Sequence, residues 1–249
     1  MYNPYSLEGR KILITGASSG IGRATAVICS KLGAEIILTG RNKDRLDETR
    51  YLLSGEGHRV LLCDLQYSEQ IDELVSNISE IHGLVNNAGM SINAPVQFIR
   101  EEKFKQILQV DTISPIILLQ KLLKKKCIKR GASVVFTSSM AAMGEVTPGN
   151  AMYVACKGAI STFVQCAALE LATKGIRVNA VCPGMTDTPL IHGDSITDEQ
   201  LKEDEKNYPL GVYGEPEDIG YGIAYLLSNA AKWVTGTNMI IDGGLSVRY

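Results

Sequence analysis

The sequence predicts an α/β fold in which a doubly wound, seven-stranded parallel sheet is flanked by helices. Short aliphatic and often β-branched runs recur along the chain, and such runs are typical of strands buried on both faces of a parallel sheet. Segments long enough for crossover helices separate them. The 249 residues fit one domain of this class, and 45% hydrophobic with 21% charged residues is an ordinary globular composition.

The predicted elements follow from these runs and from the residues that bound them. The predicted strands cover, in order, residues 11–14, 35–38, 60–63, 84–85, 133–136, 177–181 and 239–241. The predicted crossover helices include residues 22–31, 43–53, 68–79 and 101–126. Gly33 and Gly175 come after basic residues at predicted helix ends, where left-handed glycine caps are favoured. Pro216 suits the first turn of a later helix.

One long stretch lacks a clear period. Residues 185–210 carry seven acidic residues and no regular apolar spacing. A long segment of this kind inside a compact domain is usually either a functional lid or disordered. We therefore predict a single domain over residues 1–249, with a lid at about 185–210.

Charge and composition argue against several classes of function. A net charge of −2 gives no general attraction to nucleic acid or anionic lipid. No run approaches the roughly 18 to 20 apolar residues of a spanning helix, and the first residues lack the pattern of a secretory signal. Six cysteines without a CxxC pair and three scattered histidines disfavour a metal site, and no GxSxG motif indicates a serine hydrolase. We expect a cytoplasmic protein that binds no metal, nucleic acid or membrane.

A glycine-rich turn follows the first predicted strand. Gly16, Gly20 and Gly22 stand within the sequence TGASSGIG, immediately before a predicted helix. Glycines let the backbone turn sharply and approach a pyrophosphate, and the N–H groups at the start of the helix then face that group. Many strand–helix turns contain one glycine, but three at this spacing are a much stronger signal. The turn predicts a dinucleotide site.

Tyr153 and Lys157 lie four residues apart on a predicted helix and therefore share one face. A free phenol ionises near pH 10, but a neighbouring ammonium and an oxidised, positively charged nicotinamide both favour the phenolate. Such a phenol can give a proton to a carbonyl oxygen that is being reduced, or take one from an alcohol. An isolated tyrosine–lysine pair at this spacing more often lies on the surface without a catalytic role. The order of the motifs along the chain therefore decides between a surface pair and a catalytic pair.

The motifs TGxxxGxG, Asn86-Asn87-Ala88-Gly89, YxxxK and Pro183-Gly184 occur in the order and at the distances of the short-chain dehydrogenase/reductase family. The chain resembles this family from Gly9 to Gly244, and in particular its 3-oxoacyl-(acyl-carrier-protein) reductases. The resemblance implies a Rossmann fold and an NAD(P)-dependent oxidoreductase that moves a hydride between nicotinamide and a carbonyl or secondary alcohol, with a 3-oxoacyl thioester as a candidate.

The resemblance also assigns the site residues. It gives catalytic roles to Ser139, Tyr153, Lys157 and Asp111. It gives cofactor contacts to Gly16, Ser18, Ser19, Gly20, Ile21, Gly22, Arg41, Asp64, Leu65, Asn87, Ala88, Gly89, Tyr153, Lys157, Pro183, Gly184 and Thr186.

The catalytic serine is a choice between neighbours. The family has a serine about thirteen residues before the tyrosine, and Ser139 lies fourteen before it. Met140, at thirteen, would put a thioether where a hydrogen-bond donor is needed, so a one-residue insertion in the loop at 143–149 is the simpler account. We choose Ser139, and leave Ser138 as an alternative that could equally be a turn-capping hydroxyl.

Asp111 stands where the family has an asparagine, which in relatives holds a water that links the lysine to solvent. An ionised Asp111 near Lys157 would keep the ammonium charged and would partly cancel its field at Tyr153. We expect an active enzyme. The competing interpretation is that Asp111 marks a crippled proton relay.

The end of the second predicted strand indicates the cofactor. An NAD site needs an acid there to bind the ribose 2′-hydroxyl, and that acid would repel a 2′-phosphate. This chain has Gly40 and Arg41 instead, and an arginine makes charge-assisted bonds to phosphate. We predict that NADP(H) is favoured, with NAD(H) as the alternative.

Two surfaces suggest partners. Basic residues gather at the ends of two predicted helices, where they suit either the helix dipole or, by resemblance, an acyl carrier protein; they are Lys121, Lys124, Lys125, Lys126, Lys129, Arg130 and Lys174. Apolar side chains on the same two helices predict a homotetramer, with a dimer as the fallback; they include Ile113, Ile116, Ile117, Phe163, Val164 and Leu169.

Two other functions remain open at this point. A catalytically silent, dinucleotide-responsive binding or regulatory protein would keep the cofactor pocket, but it would not need Ser139, Tyr153 and Lys157 together. A nucleotide-sugar epimerase or dehydratase shares YxxxK and the fold, but 249 residues leave no room for the larger substrate domain of those enzymes.

Overall fold

The computed structural model describes residues 2–192 and 197–248, and its strands form one parallel sheet. They are β1 (Lys11–Thr15), β2 (Glu35–Gly40), β3 (Arg59–Leu62), β4 (Ile81–Asn86), β5 (Ile128–Thr137), β6 (Arg177–Pro183) and β7 (Asn238–Ile241). Their order, β3-β2-β1-β4-β5-β6-β7, confirms the predicted doubly wound sheet of seven strands. Because the order reverses between β1 and β4, the carboxyl ends of the strands form a crevice there.

Helices cover both faces of the sheet. They are α1 (Gly20–Lys31), α2 (Lys43–Tyr51), α3 (Ser68–Ser76), α4 (Glu101–Leu108), α5 (Ser114–Lys124), α6 (Ala151–Ala172), α7 (Asp198–Glu205) and α8 (Pro216–Leu227). Side chains alternate along each strand. Leu13 therefore packs with α3, α5 and α6, while Ile12 and Ile14 pack with α1, α2 and α8.

The helix predicted over 101–126 is interrupted. Between α4 and α5 the chain forms a π-helical turn, Gln109–Ile113. Pro115, the second residue of α5, has no N–H to donate to the carbonyl of Asp111 four residues earlier, so the regular α-helical bonding cannot continue here. Turns of this kind are frequent at functional sites.

The segment predicted as a lid contains a helix that its sequence did not indicate. Thr197 begins α7 with a capping box, in which its hydroxyl accepts from the Gln200 N–H and the Gln200 side chain accepts from the Thr197 N–H. Leu201 is the one apolar residue of this helix, and it is buried. A single apolar residue gives no visible periodicity. Leu201 packs with Tyr208, Tyr213 and Leu245. The part of the lid at 193–196 lies outside the described residues.

One helix in the described part of the chain, α6, is long and apolar enough to cross a membrane by length and composition alone. Of its most apolar window, 44% is buried inside the protein. Ile160 and Val164 pack against the sheet, and Lys157 is also buried. These are the contacts of a core helix.

Candidate active site

The glycine-rich turn connects β1 to α1 through very close backbone contacts. Gly16 has a φ of +63°, and a Cβ there would lie 2.8 Å from the Ala88 Cα. A Cβ at Gly22 would lie 2.2 Å from the Gly16 carbonyl oxygen and 2.6 Å from the Asn87 Nδ2. Both positions therefore exclude any side chain.

Thr15 and Thr137 fix the loop that follows β4. The Thr15 hydroxyl accepts from the N–H groups of Asn87 (2.9 Å) and Ala88 (3.0 Å). The Asn87 amide donates to the Thr15 carbonyl at 3.2 Å and accepts from the Thr137 hydroxyl at 3.2 Å. Sequence reasoning assigned no role to either threonine, although both lie in or beside its motifs.

The start of α1 lies beside Thr188, which belongs to the segment predicted as a lid. Ser19 precedes the helix, and its hydroxyl makes no capping bond to the described residues, so the first N–H groups of Gly20, Ile21 and Gly22 have no side-chain acceptor from it. A Cβ at Gly20 would lie 3.0 Å from the Thr188 methyl, so the segment predicted as a lid packs directly on this turn.

Two arginines lie beside the turn. Arg23 donates to the Ser18 carbonyl at 2.7 Å and pairs with Glu48 at 3.0 Å, which holds the turn against α2. Arg41 is exposed just past the end of β2 and has no ion-pair partner within residues 2–192 and 197–248. The structure thus brings Ser18 and Arg41 to the same edge as the glycines.

The remaining predicted cofactor residues follow β3 and β6. The Asp64 carboxylate accepts from the Gln66 N–H at 3.0 Å, while Leu65 is buried and its carbonyl accepts from the Ser114 hydroxyl. Three more lie at the end of β6. Pro183 is its last residue, Gly184 packs closely against Asp242, and the buried Thr186 donates to the Gly184 carbonyl at 3.1 Å.

The two neighbouring serines have different surroundings. Ser138 is 2% exposed, and its hydroxyl bonds to the Ser161 hydroxyl at 2.7 Å and to the Lys157 carbonyl at 3.1 Å. Ser139 is half-buried and accepts from the Ala141 N–H at 3.2 Å. Ser138 is therefore engaged in attaching β5 to α6, whereas Ser139 lies at the end of the strand.

Tyr153 lies in the first turn of α6, and Lys157 follows one turn later. The Lys157 Nζ lies 5.5 Å from the centroid of the Tyr153 ring and donates to the Thr137 carbonyl at 3.0 Å. Tyr153 itself is half-buried among apolar side chains that include Ile107 and Met152. The helix thus places a cation beside a phenol at the edge of the crevice.

Asp111 contacts the same lysine. Its Oδ2 lies 3.2 Å from the Lys157 Nζ, and its Oδ1 accepts from the Met90 N–H at 2.9 Å. Burial raises the pKa of Asp111 against the opposing effect of Lys157. Burial by itself would lower the pKa of Lys157, but the attraction of Asp111 and Tyr153 outweighs it, and the net shift is upward.

Within the described ranges, no group of three or more histidine, cysteine or carboxylate side chains could hold a metal ion. Asn179, on β6, is fully buried. It bonds to the Val234 carbonyl and the Thr237 N–H and therefore holds strand ends together. The phenol of Tyr153, the ammonium of Lys157, the hydroxyl of Ser139 and the carboxylate of Asp111 are the polar groups that α6, β5 and the π-helical turn bring to this region.

Comparison with known proteins agrees with this arrangement. The family model described as enoyl-(acyl carrier protein) reductase matches residues 16–246. The chain is 33% identical to the 3-oxoacyl-(acyl-carrier-protein) reductase FabG of Rickettsia prowazekii, over 96% of this chain and 98% of that protein. It is 32% identical to the glucose 1-dehydrogenase of Gluconobacter oxydans, over 98% and 95% of the two chains.

A solved structure is also similar to this chain over nearly its full length. A putative 2-deoxy-D-gluconate 3-dehydrogenase from Agrobacterium tumefaciens with bound NADP is 30% identical, with a TM-score of 0.89 over 99% of this chain and 100% of that one. Both the match to the family model and the relatives span nearly the whole chain. The protein belongs to the short-chain dehydrogenase/reductase family of NAD(P)-dependent oxidoreductases.

Proposed function

We propose that the protein is an NADP(H)-dependent reductase that converts a carbonyl to a secondary alcohol, with a 3-oxoacyl thioester as its substrate class. The observation that carries this proposal is the Tyr153–Lys157 pair, held beside the glycine-rich turn at the carboxyl edge of the sheet. Similarity to the Rickettsia reductase supports the choice of substrate class.

The residues present fit a dinucleotide. The turn at Gly16 and Gly22 has no room for side chains, so its backbone can approach a pyrophosphate. The loop at Asn87–Gly89 is held rigidly by Thr15 and would lie along the cofactor. Arg41 would bind a 2′-phosphate, and the Agrobacterium structure contains NADP. When bound, the cofactor supplies the hydride.

The protein would supply the proton and the orientation. The Tyr153 hydroxyl gives a proton to the carbonyl oxygen as the alcohol forms. The Lys157 ammonium stabilises the negative charge left on the phenol oxygen. The Ser139 hydroxyl, at the end of β5, holds the substrate oxygen. The Ser138 hydroxyl is engaged with the Ser161 hydroxyl and the Lys157 carbonyl, which supports the choice of Ser139 for this role.

A panel of carbonyl compounds tests the proposal. Purified enzyme is supplied with NADPH and with 3-oxoacyl thioesters, simple ketones and sugar-derived ketones, and loss of the reduced cofactor's absorbance is followed. We expect the fastest turnover with the thioesters. Cofactor binding without oxidation across the whole panel would favour the alternative, a catalytically silent dinucleotide-responsive protein.

The basic cluster is the proposed docking site for an acyl carrier. Three of its lysines serve the fold, because Lys121 pairs with Asp72, Lys129 pairs with Glu80, and Lys125 donates to carbonyls at the end of α3. Lys125 and Lys129 are exposed as well, and the exposed members that take part in none of these contacts are Lys124, Lys126, Arg130 and Lys174. Arg130 packs beside Gly175, which brings it close to Lys174.

Reversing the charge at Arg130 and Lys174 tests this docking site. We expect the double change to glutamate to raise the KM for a carrier-linked 3-oxoacyl substrate about tenfold, because exposed cations of the site would no longer attract an acidic carrier. The KM for a small free ketone should stay the same. Lys232→Glu, at an exposed position elsewhere, is the control. Equal effects on both substrates would indicate simple destabilisation.

The position of this cluster supports the involvement of a second copy of the chain. Tyr153 lies at the start of α6 and Lys174 lies just past its end, so the 22-residue helix separates them by about 30 Å. A carrier docked at the cluster is far from Tyr153 of the same chain. If two α6 helices pack across a two-fold axis perpendicular to them, they run antiparallel, which would bring the cluster of one copy toward the crevice of the other.

We propose a homotetramer, with a dimer as the fallback. The apolar surface is smaller than the sequence indicated, because Val164 is fully buried and Phe163 packs on the core. Leu169 is 80% exposed and Ile113 is 40% exposed, and both remain available to a partner. Light scattering should give a dimer or tetramer mass, and Leu169→Glu should shift it toward the monomer. A wild-type monomer at micromolar concentration would contradict this proposal.

We also propose that the protein acts in the cytoplasm. The net charge of −2 gives no attraction to nucleic acid or anionic lipid, and five of the six cysteines are buried as free thiols, which suits a reducing compartment. Cell fractionation with an antibody against the protein tests the location.

A further inference from the structure

The Asp111–Lys157 ion pair differs from the other ion pairs of the described residues. Its side chains are 0% and 5% exposed, whereas every other pair has at least one partner that is 30% exposed or more. Surface pairs are screened by water and contribute little. A buried pair is screened far less, so each of its charges acts strongly on its neighbours.

Three features of the fold allow the contact between Asp111 and Lys157. The π-helical turn carries Asp111 toward α6, and the Met90 N–H holds the Oδ1 oxygen at 2.9 Å. Gly89 provides the space, because a Cβ there would lie 3.0 Å from the Asp111 Oδ2 and 3.2 Å from the Lys157 Nζ. A larger residue at 89 would press on both charged groups at once.

We propose that Asp111 is a positioning residue that fixes the Lys157 ammonium by direct contact and sets how much of its charge reaches Tyr153. This inference rests on the proposed function only in naming Tyr153 as the acid-base group. Asp111 does not touch the substrate in this role; it acts through the lysine.

The direction in which Asp111 acts on Tyr153 follows from the charges around Lys157. Lys157 faces Asp111 on the π-helical turn, and Tyr153 and Cys156 on its own helix. The carboxylate keeps the lysine protonated, but its negative charge opposes the ammonium's attraction for a phenolate. Removing that charge while keeping the shape should therefore let the phenolate form at lower pH.

Asp111→Asn tests this consequence, because asparagine is nearly isosteric with aspartate and uncharged. We expect the pH profile of kcat/KM for alcohol oxidation to rise earlier than in the wild type, because the ammonium then acts on the phenol without an opposing carboxylate. Asp72→Asn removes the carboxylate of an exposed ion pair on α3 and should leave the profile in place. Superimposable profiles for Asp111→Asn and wild type would overturn the inference, as would a kcat gain above tenfold at an unchanged profile, the mark of a crippled relay.

A second measurement does not depend on activity. Protein labelled with carbon-13 at the lysine Cε is titrated by NMR, and the Lys157 signal is identified by its absence in Lys157→Arg. We expect Lys157 to lose its proton at lower pH in Asp111→Asn than in the wild type, because burial then acts without the opposing carboxylate. An unchanged titration would overturn the inference.

Gly89→Ala gives an independent test if Asp111→Asn does not fold. It keeps the carboxylate but pushes the pair apart, so the Lys157 titration should move in the same direction by a smaller amount. Gly214→Ala, where a Cβ has no neighbour closer than 3.7 Å, is the matched control. If Tyr153→Phe stayed fully active, the proposed function would fail, whereas the NMR result would still decide the role of Asp111.

Discussion

Replacing Tyr153 by phenylalanine is expected to lower kcat for carbonyl reduction by about three orders of magnitude. The change removes one oxygen atom, the group that gives the proton to the substrate, and positioned acids and bases contribute roughly 10²- to 10⁴-fold to catalysis. The phenyl ring should keep its place among Ile107 and Met152, so the Tm should change little. Stopped-flow measurement of NADPH oxidation gives the rate.

Controls separate chemistry from binding. Cofactor affinity, measured by the quenching of protein fluorescence, should be nearly the same in Tyr153→Phe and wild type, because the glycine-rich turn and the Asn87 loop are untouched. Tyr221→Phe, at a 61% exposed position on α8, should have wild-type activity. A Tyr153→Phe enzyme with more than a tenth of wild-type activity would contradict the assigned role.

The sheet could be predicted from the sequence because its strands are defined locally. Runs such as Ile12 to Ile14 are buried on both faces, and such strands need no alternation to be recognised. The predicted ends of the strands were less accurate. β5 begins at Ile128, five residues before the predicted start at 133. The residues that directly follow Ile128 are exposed, so the apolar pattern is absent there.

The π-helical turn could not be predicted from residue types alone. Pro115 indicates a missing donor, but prolines also begin ordinary helices. What fixes the turn are distant contacts, in which the Ser114 hydroxyl donates to the Leu65 carbonyl and the Thr112 hydroxyl donates to the Cys156 carbonyl. Those partners lie on other elements, so the chain must fold before they are adjacent.

Side-chain orientation also had to come from the structure. Spacing along the chain left Ser138 and Ser139 as alternatives, whereas the fold turns Ser138 toward Ser161 on α6. The same holds for Asp111, whose importance depends on its distance from Lys157. The sequence indicated which residue types the crevice contains, and the packing of α6 on the sheet determines which atoms meet.

Arg41→Asp is expected to reverse the cofactor preference from NADPH to NADH. Arg41 is exposed just past β2, with no ion-pair partner among residues 2–192 and 197–248, so its guanidinium is available to a 2′-phosphate. Each hydrogen bond to a charged group contributes about 1.5 to 3 kcal/mol, so loss of two such bonds should lower kcat/KM for NADPH by about a hundredfold or more. The new carboxylate would repel the phosphate and accept a bond from the 2′-hydroxyl of NADH.

The ratio of kcat/KM for NADPH to that for NADH measures the preference at fixed carbonyl substrate. Arg59→Asp removes an exposed arginine at the opposite end of a strand, the start of β3, and should leave this ratio unchanged. If Arg59→Asp changed the ratio as much as Arg41→Asp, the effect would come from net charge and not from contact with the phosphate. A wild-type enzyme that already preferred NADH would overturn the assignment of Arg41, because an unpaired guanidinium at this edge gives a 2′-hydroxyl no acceptor.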